Sequence, residues 1–336
     1  MDDNISLNSA GYKDIEVRYI FKVLAEAKKL GLKAVKITGG EPFLRKEIFE
    51  VLEWLKNSKL RATVETNGTL IGEREAKALK GNKVSFMSVS LDGPDASTHE
   101  KLRGVKGSFI KAVEGIKNIR KYNPGLRMQI ICSLWKHNKN NMKEMIEFCV
   151  KLGVFNLKIN PIMNVSRADS MKKKGELLTI KQILGTWNIM KKYLAKRKLE
   201  NKFKLFFDVP PAFKSIEELK NSAFCFCGIK SLLGILGDGT ISICGIGSVV
   251  KELAMGNIKD TSIKDVWENN KILKLIRNHM PSRLEGVCGK CMMKHFCLGK
   301  CRAEAYWENK SLLSPNTFCS TAYKEGIFPK NRLVKN

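Results

Sequence analysis

The chain has 336 residues, 43% of them hydrophobic, and a formal charge of +27 from 60 Lys plus Arg against 33 Asp plus Glu. That length and apolar content suffice for one large or two medium domains with a real core, and they exclude a disordered or fibrous chain. No segment reads as a membrane span, and Met1 to Asn8 has neither the basic nor the apolar part of an export signal, so a cytoplasmic location with reduced thiols is expected.

The first half alternates in a regular way. Glu16 to Leu30 is amphipathic at helical spacing, and Ala34 to Thr38 is a short apolar run closed by Gly39-Gly40. Lys46 to Lys56 reads as a helix, with Ile48, Phe49, Leu52 and Leu55 on one face. Strands follow at 60–64, 84–91, 127–133 and 154–159, separated by helical stretches at 73–79, 109–122 and 139–152. Five strands, each followed by a helix, predict parallel βα units, whose sites lie at the C-terminal ends of the strands.

From about 165 to 223 the alternation stops. The stretch Arg167 to Lys204 holds twelve basic residues against three acidic ones. Its apolar residues Ile180, Ile183, Leu184, Trp187, Met190 and Leu194 recur at helical spacing, so its lysines are the solvated face of a helix and nucleic acid is not expected as a partner. An extended piece at 203–209 and the break Pro210-Pro211 come next. A hairpin is predicted from 232–236 and 241–243 around Gly237-Asp238-Gly239, then one helix over 263–280.

Eight of the ten cysteines lie in the last third, at Cys225, Cys227, Cys244, Cys288, Cys291, Cys297, Cys301 and Cys319. Thiols at short fixed gaps surround soft metal centres, and eight would fill two four-Cys sites. Spacing by itself leaves structural zinc open, because C-x2-C pairs also build zinc ribbons. Cys132 and Cys149 sit among apolar neighbours and read as packing residues.

Thr38-Gly39-Gly40-Glu41-Pro42 directly follows a strand, and two glycines there permit a close backbone approach. With Glu65 to Gly68, Ser90 to Gly93, His99, Arg103-Gly104, Gly107 to Phe109 and Ser133 to Asn138 in that order, residues 30–165 resemble the radical S-adenosylmethionine enzymes. His99, taken alone, reads as a surface or capping residue. The resemblance implies that Gly39, Gly40, Glu41, Pro42, Thr66, Asn67, Ser90, Asp92 and Ser133 contact S-adenosylmethionine. The C-terminal cysteines resemble the SPASM extension of a subset of these enzymes. That likeness implies two auxiliary 4Fe-4S clusters, one on Cys225, Cys227, Cys244 and Cys301, the other on Cys288, Cys291, Cys297 and Cys319.

The family's C-x3-C-x2-C segment, which holds the catalytic 4Fe-4S cluster, has no counterpart here, since no Cys precedes Cys132. The expected fold is therefore a partial parallel (β/α) barrel lacking its first strand, over 1–165. A basic helical bridge over 166–223 and a small Cys-rich α+β cluster-binding domain over 224–330 follow. Met1 is expected to be an internal methionine taken as the start, or the gene a broken one, with the catalytic cluster's ligands expected only in a longer chain. Gly245 stands after Cys244, where sulfatase-maturing relatives have an Asp, which argues against formylglycine formation. The function implied is hydrogen abstraction from a peptide or other large substrate, with an electron donor such as ferredoxin or flavodoxin. Tetrapyrrole side-chain chemistry and a non-catalytic peptide-binding relative are the alternatives.

Overall fold

The structure is a computed structural model and describes residues 14–166, 168–221 and 227–334. Two compact units are present, Met1–Lys33 with Cys227–Met280, and Ala34–Phe226 with Pro281–Asn336.

The larger unit is built on a six-stranded sheet: β1 (Ala34–Ile37), β2 (Arg61–Thr66), β3 (Phe86–Ser90), β4 (Met128–Leu134), β5 (Asn156–Pro161) and β6 (Lys204–Phe207). The spatial order equals the chain order and every pairing is parallel. Successive same-sense crossovers put the helices on one face of such a sheet and leave all strand C-termini along one edge. Five strands were expected from the sequence. The sixth is the extended piece at 203–209, which pairs with β5 from Asn156↔Lys204 to Ile159↔Phe207. Its short apolar run gave no alternation to mark it, and the basic helix before it serves as the crossover.

The helices follow from their apolar spacing. Ile48–Asn57 buries Ile48, Val51, Leu52 and Leu55, at the i, i+3, i+4, i+7 positions of one stripe. Ile180–Lys196 buries Ile180, Ile183, Trp187, Met190 and Leu194 and exposes Lys181, Lys192 and Lys196, as its pattern predicts. Thr179 and Gln182 close a capping box at its start. The central strands β3 and β4 are buried on both faces, whereas β1, at the edge of the sheet, is exposed or half-buried throughout. Residues 281–334 add the short helices Gly286–Gly289, Lys294–Cys297, Arg302–Asn309 and Thr317–Lys324.

In the smaller unit, β7 (Gly234–Ile235) and β8 (Thr240–Ser242) form the expected hairpin, and β9 (Ala254–Asn257) pairs antiparallel with β8. The helix Val17–Lys29 lies beside Ile263–Asn269, and the Ser262 hydroxyl donates to Glu26 at 2.7 Å. The single helix expected over 263–280 is two helices, Ile263–Asn269 and Lys271–His279. Asn270 is extended (φ −60°, ψ 132°) and its Oδ1 accepts from the Ile272 N–H at 2.9 Å, so it ends one helix and caps the next. Apolar spacing runs on through such a break because it does not register a cap.

Candidate cofactor and cluster sites

The register places Thr66 beside Val89, Ser90 beside Ile131 and Ser133 beside Asn160, so the strand-end residues share one edge. At the end of β1, Gly39 has φ +137°, a conformation that favours glycine, and a Cβ on Gly39 or Gly40 would meet nothing within 4 Å. The backbone there faces open space that a ligand could fill. Pro42 is buried at the start of a short 3-10 turn, and Glu41 caps that turn by accepting from the Phe43 N–H at 3.2 Å.

Glu41 also ties β1 to β2. Its Oε1 accepts from the Thr66 hydroxyl and its Oε2 from the Asn67 N–H, both at 2.7 Å. The Thr66 hydroxyl accepts in turn from the Gly68 N–H at 2.9 Å, and Asn67 Oδ1 accepts from the N–H and hydroxyl of Thr69. The carboxylate of Glu41 thus fixes the backbone around the two glycines against the next strand end.

A second network joins β3 to β4. Asp92 has no solvent exposure; Oδ1 accepts from the Ser133 N–H at 2.8 Å and Oδ2 from Arg103 Nε at 2.6 Å. The Asp92 N–H donates to His99 Nδ1 at 3.1 Å, and Asn138 Nδ2 donates to the carbonyls of Asp92 and Ser133, each at 2.8 Å. His99 is therefore not a surface residue: it is buried, and burial holds its pKa below the ordinary value. Ser90 and Ser133 are half-buried beside this network. The sequence reading did not single out Asn138 and Arg103 as strand-tying groups, because an Asn four residues past a strand and an Arg at a helix end carry no local signature. Cys132 and Cys149 are buried, as expected, and burial pushes both thiols up.

The thiols of Cys288, Cys291, Cys297 and Cys319 line one pocket, walled by Ala212, Val287, Met293 and Phe328. Among the described residues no three His, Cys, Asp or Glu side chains are grouped so as to hold a single metal ion. The set still suits a thiolate-held cluster in its chemistry: four cysteines on one pocket, apolar walls, and backbone donors onto sulfur. The Asn316 N–H reaches Cys288 Sγ and the Met293 N–H reaches Cys291 Sγ, both at 3.3 Å. A hydrogen bond from the Cys319 thiol, the Asn316 N–H and the Arg302 charge hold the Cys288 thiol below the ordinary value, while burial pushes Cys297 up to about 11. Between Cys297 and Cys301, Leu298, Gly299 and Lys300 all have left-handed backbone (φ +50°, +68° and +62°). Two non-glycine residues held in that region mark a segment fixed by its surroundings.

The other four thiols are described one by one within their own units. Cys227 is exposed and Cys244 half-buried in the smaller unit, Cys301 is half-buried in the larger one, and Cys225 lies outside the described residues. Among the described residues no helix is long and apolar enough to cross a membrane.

Comparison with known proteins bears on both sites. Residues 8–149 match the model of the Radical SAM superfamily, and residues 225–292 match the SPASM model, described as an iron-sulfur cluster-binding domain. The AdoMet-dependent heme synthase of Methanosarcina barkeri (strain Fusaro) is 26% identical over 319 residues, covering 88% of this chain and 84% of that protein. Mycofactocin maturase MftC of Mycobacterium tuberculosis is 23% identical over 334 residues, covering 97% of this chain and 81% of that protein. Among solved structures, Streptococcus suis SuiB bound to precursor peptide SuiA superposes with a TM-score of 0.72 at 20% identity, covering 93% of this chain and 71% of that one. Iron–sulfur clusters and S-adenosylmethionine are the cofactors that these two domains imply. With its parallel sheet, its strand-end networks and its C-terminal thiols, the chain is a member of the radical SAM superfamily that carries a SPASM domain.

Proposed function

We propose that this protein binds S-adenosylmethionine along the strand-end edge and acts on a peptide or protein substrate. The observation that carries the substrate class is at the end of β5. The side-chain oxygens of Asn160 and Asn164 are buried and accept no hydrogen bond. Asn160 stands in register with Ser133, and Asn164 Nδ2 is already committed to Glu308 at 2.6 Å. A buried acceptor without a partner is costly, and a peptide N–H would satisfy it, whereas the carboxylates of a tetrapyrrole would not.

The residues take these roles. The open backbone of Gly39 and Gly40 receives the methionine end of the cofactor, with Glu41 and Pro42 fixing that segment. Thr66, Asn67, Ser90 and Ser133 line its path, and Asp92 holds the ends of β3 and β4 in register. When bound beside a reduced cluster, S-adenosylmethionine supplies the radical that removes a hydrogen atom from the substrate. Cys288, Cys291, Cys297 and Cys319 hold one auxiliary cluster, and Cys225, Cys227, Cys244 and Cys301 keep the ligand role that the SPASM resemblance implies for them. A ferredoxin or flavodoxin is the proposed electron donor.

Tetrapyrrole chemistry is the second reading, favoured by the likeness to the Methanosarcina barkeri heme synthase. A direct binding comparison separates the two. Anaerobic protein with reconstituted clusters and S-adenosylmethionine is titrated with iron-coproporphyrin III and, separately, screened on an array of unmodified peptides. Saturable peptide binding that Asn160→Leu weakens at least tenfold supports the first reading. Tight porphyrin binding that Asn160→Leu leaves unchanged overturns it.

A further inference from the structure

Among the described residues Arg302 is the one Lys or Arg that is buried, with no solvent exposure at all. Its Nη1 donates to the carbonyls of Leu312 at 3.0 Å and Ser314 at 2.7 Å, and its Nη2 donates to the carbonyl of Gly299. Its Nε is buried and has no partner. All these partners are neutral carbonyls, and among the described residues no carboxylate is in ion-pair contact with the guanidinium. Glu304, the nearby acid, accepts from Asn316 Nδ2 at 3.2 Å. Lys300, the neighbouring cation, is taken by Asp208. A buried charge left without a counter-charge is strongly unfavourable, so something else must balance this one.

The balancing groups on hand are sulfurs. The charge of Arg302 interacts with the thiols of Cys288, Cys297 and Cys301 and, more weakly, with the Glu304 carboxylate. Gly299 stands between the guanidinium and the pocket that Cys288, Cys291, Cys297 and Cys319 line. A Cβ at Gly299 would lie 2.7 Å from Arg302 Cζ, so glycine there lets the cation press against the pocket wall. The left-handed run from Leu298 to Lys300 holds that wall in place.

We infer that Arg302 is the buried counter-charge of the iron–sulfur cluster held by Cys288, Cys291, Cys297 and Cys319, and that it sets that cluster's reduction potential. The inference rests on the cluster reading given above. A thiolate-ligated cluster is an anion, and one-electron reduction adds a further negative charge without a proton or a new bond. A fixed cation one backbone residue away favours the reduced form and raises the potential.

The test is an anaerobic redox titration of the reconstituted whole chain, followed on the paramagnetic signal that Cys291→Ala abolishes. Arg302→Lys, which keeps the charge, is expected to stay close to the unaltered protein. Arg302→Gln is expected to shift the potential downward, by at least tenfold in the reduced-to-oxidised ratio, or about 59 mV for one electron. Equal potentials for the unaltered protein and Arg302→Gln overturn the inference. Should Arg302→Gln fail to fold, Gly299→Ala, whose Cβ displaces the guanidinium, is titrated instead; a downward shift supports the role and no shift overturns it. An unaltered protein that takes up no iron on these thiols overturns the cluster assignment itself, a result distinct from a loaded cluster with unchanged potential.

Discussion

The carboxylate of Asp92 accepts the backbone N–H of Ser133 at 2.8 Å, so a side chain with no solvent exposure joins the ends of the two central strands. The same carboxylate holds Arg103, which is about one-third exposed. Asp92→Ala leaves a buried N–H without an acceptor and a half-buried cation without its counter-ion. The expected cost is roughly 2–4 kcal/mol of folding stability, less than for a fully buried pair because Arg103 reaches water. Urea unfolding measures it. A loss under about 0.5 kcal/mol would show that the network does not hold the strand ends.

Glu41 accepts three hydrogen bonds from two strand ends. Glu41→Gln keeps the size but turns one acceptor into a donor facing a donor. S-adenosylmethionine binding, measured by calorimetry, should weaken at least tenfold, while the unfolding midpoint falls by about 1 kcal/mol equivalent. Unchanged affinity would place the cofactor away from the glycine segment.

Iron content should separate the two kinds of cysteine. Anaerobically reconstituted protein is expected to carry about eight irons, the content of two four-iron clusters. Cys291 lines the thiol pocket, whereas Cys132 is buried within β4. Cys291→Ala should lose about half the iron and Cys132→Ala none. Stoichiometric zinc in place of iron would return the thiols to a structural role.

His99 gives a pH signature. Burial lowers its folded-state pKa below 6.5, so in that range the unfolded chain binds more protons than the folded one. Its contribution is therefore present above the unfolded value and is lost as pH falls from about 6.5 towards the folded pKa. The stability difference between the unaltered protein and His99→Gln should shrink over that window in unfolding curves at several pH values. A difference independent of pH would mean that the ring does not titrate with unfolding.

Because no Cys precedes Cys132, the chain supplies no C-x3-C-x2-C thiolates of its own. It is expected to bind S-adenosylmethionine yet to form no 5′-deoxyadenosine under strong reductant, as chromatography of the reaction would show. Turnover by this chain alone would contradict that account of the strand-end edge.

The sequence by itself determined the parallel βα order, the glycine segment at Gly39-Gly40 and the spaced thiols, because each is written in local periodicity or fixed spacing. Apolar stripes repeat with the helix and the strand, and ligand spacing survives without knowledge of the fold. The tertiary structure decided what depends on partners distant in the chain. It paired Lys204–Phe207 with β5, broke 263–280 at Asn270 and buried His99 against the backbone of Asp92. It also brought Cys288 and Cys319, thirty-one residues apart in sequence, to one pocket and set the cation of Arg302 behind its wall. Burial and long-range hydrogen bonds are properties of the packed chain, and no window along the sequence carries them.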